Sequence, residues 1–297
     1  MMQLKHMMKK IVAVMAALVM TFLGMASYMK ADAFYQNQGY GIYNYETQSV
    51  SKYVLRVNLP ILDGNGGTTR AGLIDDRIPD TEVSVVRLQA GGNISSGFIV
   101  DNHIIATAAH CVYNYESKQY FPDMRVDIYD ENCTTILKTV YPKEAHVALN
   151  FVNNKDFQYD YALLYVEEDL SEYGIFSLGV AMDDFMTSNS LVTISGFPGT
   201  FGTLKRYKGV GNIVPISSNL ADHQIQYTAY ASPGDSGGPV YTTQTFNGRT
   251  YHTVIGIHTT GTFHSDGSVG EHRFGTRVTS TLLVFYYNNE KIGSTVS

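Results

Sequence analysis

"GDSGGP", residues 234–239, sets one serine hydroxyl among three glycines and closes the stretch with a proline. Glycine takes backbone angles closed to other residues and lets a second chain come near. Proline fixes its own φ and removes a donor. One reading is a tight turn, since glycine clusters punctuate turns. The other is a displayed nucleophile. A serine hydroxyl is a weak nucleophile until a base takes its proton, and that base needs an orienting group. The choice between the two readings therefore rests on the rest of the chain.

Two stretches supply the missing groups. "ATAAHCVY" (106–113) puts His110 just after an apolar run, among small residues that pack closely. "YDYALLYV" (159–166) puts Asp160 immediately before a strongly apolar strand, where a carboxylate can be half buried and still point at a neighbouring loop. Asp156 is a rival for that role but lacks the adjoining apolar strand. The chain order is His110, Asp160, Ser236, one of the known orders of a Ser-His-Asp set.

Outward from these motifs, the chain reads as short apolar runs separated by turn residues. Candidate strands are 82–89, 96–101, 103–109, 125–130, 161–167, 191–197, 225–230, 238–243 and 252–259. Short strands bounded by Gly, Asn and Pro predict an all-β sandwich or barrel. The composition agrees: 44% of the 297 residues are hydrophobic and 16% charged, with 22 tyrosines and 27 glycines. That balance can bury a core and leans toward β-structure. The net charge of −6, with no dense Lys/Arg cluster, argues against a nucleic-acid partner. The end differs: the apolar spacing of "TSTLLVFYYNNE" (279–290) predicts a C-terminal helix capped by Thr279.

At the other end, "KHMMKK" (5–10) leads into the apolar run 11–29 and then "ADA" (31–33). This is the pattern of a signal peptide, 1–33, cut after Ala33. An uncleaved anchor is the alternative, because the run is long enough to span a bilayer. The chain is expected to be secreted, with no stable membrane association after cleavage. Residues 34–70 are polar and aromatic and end in a Gly/Thr-rich stretch, which suits a pro-segment or linker better than core.

"TAAHC", "DYALL" and "GDSGGP", in this order, resemble the chymotrypsin-like serine peptidases over about residues 71–290. The resemblance implies two six-stranded antiparallel β-barrels with the active site between them. The N-terminal barrel, 71–175, would carry His110 and Asp160; the C-terminal part, 176–297, would carry Ser236 and the helix. His110 would take the proton of Ser236, and Asp160 would orient the imidazole. The N–H groups of Gly234 and Ser236 would form the oxyanion hole. Peptide or protein substrates, no cofactor, no metal and a monomer complete the expectation.

"DDR" (75–77), "YDYALL" (159–164), "VTISGFPG" (192–199), "IHTTG" (257–261) and "FGTRVT" (274–279) resemble the bacterial glutamyl endopeptidases more closely. That branch implies a bacterial source and cleavage after Glu, with Asp as the second candidate. His258 would meet the substrate carboxylate in an S1 pocket that also includes Thr259, Tyr230 and Ala231. The chain departs from the branch in having GDSGGP around the nucleophile, Ala231 for a threonine and Pro233 for a glycine. These departures leave a different P1 preference open. By that resemblance Tyr230 stands where a trypsin-type acid would be, which argues against Lys/Arg specificity. A catalytically silent binding module is the alternative from another class, although all three triad positions are filled.

Asp235 beside the nucleophile is an acid in a turn that must be buried, and a buried carboxylate needs a cation. In the family that cation is a new N-terminus. "TTR" (68–70) followed by "AGLIDDR" (71–77) marks a cut after Arg70, so that the amine of Ala71 would pair with Asp235. A Cys111–Cys133 disulfide is open in a secreted chain, because Cα separation is not readable from sequence. "HSDGSVGEH" (264–272) gathers His264, Asp266, Glu271 and His272 but is glycine-rich, and reads as a solvated loop rather than a metal site.

Overall fold

The computed structural model describes residues 39–54, 77–181, 186, 190–199, 205–216, 223–246, 249–263, 269–283 and 285–286. The expected signal peptide, the Arg70–Ala71 junction and the 264–268 part of the His/Asp-rich stretch lie outside the described residues.

The N-terminal half supplies β1 (Gly39–Asn44), β2 (Ser49–Val54), β3 (Ile78–Pro79), β4 (Val85–Ala90), β5 (Asn93–Asp101) and β6 (Ile104–Thr107). It continues with β7 (Tyr113–Asn114), β8 (Gln119–Tyr120), β9 (Arg125–Tyr129), β10 (Ile136–Val140), β11 (Glu144–Ala148) and β12 (Ala162–Tyr165). The C-terminal half supplies β13 (Ser177–Leu178), β14 (Leu191–Gly196), β15 (Tyr207–Asn212), β16 (Gln224–Tyr227), β17 (Pro239–Phe246), β18 (Arg249–Phe263) and β19 (Val269–Arg277). A short helix α1 (Leu149–Asn154) separates β11 from β12.

Apart from the separate pair β7–β8, the strands form two curled, mainly antiparallel sheets, as the expected pair of barrels requires. One runs β10-β9-β4-β5-β6-β12-β11-β1-β2 and the other β16-β19-β18-β17-β14-β15-β3, with β13 added in parallel to β18. Local chemistry sets the turns. Ala90 pairs with Asn93 across Gly91 and Gly92, whose φ values of 54° and 78° suit the two-residue loop that matches strand twist. β6 is buried at every position and β4 at all but Gln89, whereas β10 is exposed at Ile136 and Leu137.

Two connections matter for the cleft. The pair β3–β15 sets Ile78 opposite Lys208, so the segment that enters the N-terminal barrel first crosses to the C-terminal sheet. Asp80 fastens that crossing, accepting from Ser195 Oγ at 2.5 Å and pairing with Lys208 at 3.2 Å. The C-terminal helix is present over 280–283 and 285–286. Thr279 Oγ1 accepts from the Leu282 N–H at 3.3 Å, the cap read from the sequence. Phe285 packs edge-on against Tyr161 of the other half at 5.0 Å, and Tyr286 donates to the Val100 carbonyl at 3.0 Å. Burying a side chain such as Phe285 stabilises by about 1.5–3 kcal/mol.

The composition of 34–70 predicted no core, yet residues 39–54 form the hairpin β1–β2. It extends the N-terminal sheet through β1–β11. Tyr43 is buried and stacks on Tyr120 with ring centres 4.7 Å apart. Asn44 Oδ1 closes the turn by accepting from the Thr47 N–H at 2.8 Å. Tyrosine alternation, which composition reads as polar linker, here packs an aromatic face.

Candidate active site

Asp160 follows the short 3₁₀ turn Phe157–Tyr159 and opens β12, and its carboxylate is 1% exposed. One oxygen accepts from the His110 backbone N–H at 2.9 Å, and the other meets His110 Nδ1 at 2.7 Å. Both bonds fix the imidazole's direction and make Nδ1 the protonated nitrogen. The rival Asp156 has a local duty: its side chain caps the 3₁₀ turn by accepting from the Gln158 N–H. Burial alone would hold the His110 pKa down. The Asp160 carboxylate, with a smaller push from Cys111, outweighs it and lifts that pKa well above the ordinary imidazole range.

Ser236 sits on a turn held from several sides. Its carbonyl accepts from the Ser96 N–H at 2.8 Å and from Cys111 Sγ at 3.5 Å, which ties the nucleophile's strand to the residue next to His110. Its Oγ is turned to the Thr259 carbonyl at 3.4 Å and makes no hydrogen bond to His110. Such bonds are often loose before substrate binds.

Gly234 has φ of 104°, and a Cβ there would lie 2.4 Å from the Phe197 carbonyl and 2.6 Å from the Gly199 nitrogen. Only glycine fits. Gly237, at φ 84°, is equally boxed by Thr107 Oγ1 and the Ser96 carbonyl. The Gly234 carbonyl is pinned by Ser96 Oγ at 2.8 Å, and that oxygen in turn accepts from the Phe197 N–H. Ser96, fully buried and 138 positions from Gly234 in sequence, is a functional residue that sequence reading missed. No local motif marks it.

The S1 candidates lie on β18, which carries His258 and Thr259, and on the adjoining pair Tyr230 and Ala231. His258 is 3% exposed and its Nδ1 meets the Tyr227 hydroxyl at 2.5 Å. Burial, then the charges of Arg273 and His110, push its pKa down to about 3. It is a neutral imidazole at working pH. Thr259 is buried; its carbonyl faces Ser236 and its hydroxyl donates to the Phe274 carbonyl at 3.3 Å. Ala231 is buried, and the ring of Tyr230 meets two guanidinium groups, Arg77 at 4.6 Å and Arg273 at 5.4 Å.

Asp235 is buried as expected, at 2% exposure. The cation the structure sets on it is Arg77, whose Nη1 lies 2.9 Å from Oδ2 and also donates to Ser232 Oγ at 2.9 Å. The β3–β15 crossing delivers Arg77 to this turn. The expected Ala71–Asp235 pair falls on Ala71, which lies outside the described residues.

Residues 76–284 match the family model described as trypsin. The chain belongs to the trypsin family. Solved structures of similar fold include a Glu endopeptidase in complex with MPD, at 21% identity and a TM-score of 0.62, covering 74% of this chain and 99% of that one. A thermostable serine protease, AL20, from an extremophilic microorganism matches at 15% identity and a TM-score of 0.56, with 73% and 99% covered. The protease Anisep from Arthrobacter nicotinovorans matches at 17% and 0.55, with 71% and 97% covered. In this trypsin-family chain the two cysteines are free thiols, which closes the disulfide question. Cys111 is packed under Ser236, and Cys133 accepts from the Arg206 N–H at 3.3 Å in a separate turn.

Proposed function

We propose that the protein is a secreted bacterial serine endopeptidase that cuts after Glu, with Asp second, through an acyl-enzyme formed on Ser236. One observation carries the reading: the oriented His110–Asp160 pair, 2.7 Å apart, across the cleft from a serine on a glycine-built turn.

The chemistry follows from these groups. Ser236 Oγ swings from the Thr259 carbonyl toward His110 Nε2, which is left as the acceptor because Nδ1–H points at Asp160. His110 takes the hydroxyl proton as Oγ attacks the peptide carbonyl. The tetrahedral oxyanion lies at the N–H groups of Gly234 and Ser236, and losing one such donor costs about 2.7–4 kcal/mol of transition-state stabilisation. His110 then passes its proton to the leaving amine, and the C–N bond breaks. A water, deprotonated by the same imidazole, hydrolyses the ester and restores Ser236.

The acidic preference is supported by the S1 composition. Tyr230 offers no carboxylate to Lys or Arg, and His258 supplies a neutral hydrogen-bonding group in a pocket where an unpaired charge is costly. The test is hydrolysis by purified protein of matched peptides that differ only at P1. Cleavage after Glu ahead of Gln, Leu, Phe and Lys is expected. Equal rates across the panel would refute the acidic preference, and no cleavage of any peptide would refute the peptidase.

A further inference from the structure

β19 carries a cation that the motifs do not account for. Arg273 is 1% exposed. It lies in register opposite Gly261 of the S1 strand, where an added Cβ would meet the Arg273 side chain at 2.8–3.1 Å. The missing side chain at Gly261 is what admits the arginine. Its Nε donates to the Ala231 carbonyl at 2.8 Å, and its Nη1 to the carbonyls of Gly270 and His272 at 3.1 and 3.0 Å. Its head lies over the Tyr230 ring. The guanidinium thus reaches from one S1 wall, at Tyr230 and Ala231, to the other, at Gly261.

Three of its five N–H groups are used. Nη2 is buried with no acceptor among the described residues. No carboxylate among the described residues lies within ion-pair distance of it; Asp235, the acid nearest in effect, is held by Arg77. Arg206 is buried as deeply, but there Nη2 reaches the Asp130 carbonyl and the Asp130 carboxylate feels its charge. An arginine taken out of water without an anion is costly, and the cost is offset when an anion arrives. A planar guanidinium edge with two free N–H groups suits a carboxylate.

We propose that Arg273 is the charge-bearing specificity residue of S1, its Nη2 edge receiving the side-chain carboxylate of an acidic P1 residue. The assignment rests on the reading of the chain as a peptidase that cuts after acidic residues, and it divides the labour within S1. Arg273 supplies the charge, and His258 supplies a neutral hydrogen bond. The charges and titratable groups around the guanidinium are Arg77, Asp235, His258, His272, Tyr227 and Tyr230. The neutrality of His258 is itself partly the work of Arg273's charge.

The experiment compares kcat/KM for peptides with Glu and with Gln at P1, near-isosteric side chains of which only Glu is charged, from about pH 6 to about pH 9, where the P1 glutamate is ionised throughout. In the wild type the Glu/Gln ratio is expected to favour Glu and to stay flat with pH. Arg273→Met is expected to cut that ratio by roughly 30-fold or more, Arg273→Lys by less, and His258→Ala to lower both peptides together. A wild type with no Glu preference refutes the acidic reading and the proposal with it. A Glu preference that survives Arg273→Met, or that fades as pH rises through the histidine range, refutes the role of Arg273 and leaves the acidic reading standing. The pH profile needs no variant, so it decides even if Arg273→Met does not fold.

Discussion

Replacing Arg77 with Met would remove the cation from Asp235 while keeping much of the side chain's volume. Both partners are almost out of solvent, with side chains 2% and 3% exposed. Their 2.9 Å contact is therefore little screened by water or salt. Deleting one member of such a buried pair leaves an uncompensated charge and costs about 3–5 kcal/mol. Loss of the Arg77–Tyr230 contact adds about 0.5–2 kcal/mol. Asp235 keeps the Ser232 N–H at 2.8 Å, which moderates the loss without supplying charge. The double variant Arg77→Met/Asp235→Asn removes both charges and is expected to regain most of the stability, because a neutral pair no longer carries the desolvation penalty. Denaturant unfolding of the full chain, Arg77→Met, Asp235→Asn and the double variant, with m held to one value, gives the coupling directly. Because the 232–236 turn also presents Ser236, Arg77→Met is expected to lower kcat more than KM. Arg77→Met within about 0.5 kcal/mol of wild type, the range of an ordinary surface substitution, would refute the reasoning.

Three further predictions follow from the same geometry. His110 must be neutral to accept a proton and its pKa is raised, so kcat/KM rises with pH through a midpoint above the ordinary imidazole value of about 6.5; a midpoint below it would contradict the Asp160 coupling. Asp160→Asn is expected to reduce kcat by about four orders of magnitude while the protein stays folded, because the imidazole loses its orienting acceptor; steady-state kinetics beside circular dichroism checks this. With Arg77 already on Asp235, cleavage after Arg70 is not expected to raise kcat/KM, and a large rise on cleavage would restore the new N-terminus as the activating cation.

What the sequence made legible was whatever is local. Each triad motif carries its residue on a recognisable strand edge or turn, and Thr279 heads its helix in plain view. Asp160 separates from Asp156 by the apolar strand that follows it, and the structure assigns the two acids the corresponding contacts. Groups whose partners arrive through sheet pairing were not legible. Ser96 meets Gly234 only because β5 packs directly against the nucleophile turn, and Arg77 meets Asp235 only through the β3–β15 crossing. The single signal for Arg273 is an arginine in the strand "HRFGTRV", and its meaning depends on the bare Cα of Gly261 on the neighbouring strand. The hairpin 39–54 was hidden because tyrosine serves both polar linkers and aromatic packing.

In the proposed mechanism Ser236 becomes a nucleophile through His110. Reaction of the purified protein with a serine-directed fluorophosphonate, followed by peptide mass spectrometry, checks this. A single adduct on Ser236 is expected, formed in step with loss of peptidase activity and absent from Ser236→Ala and His110→Ala. An adduct that forms equally fast in His110→Ala, or labelling of another serine while activity is lost, would contradict it.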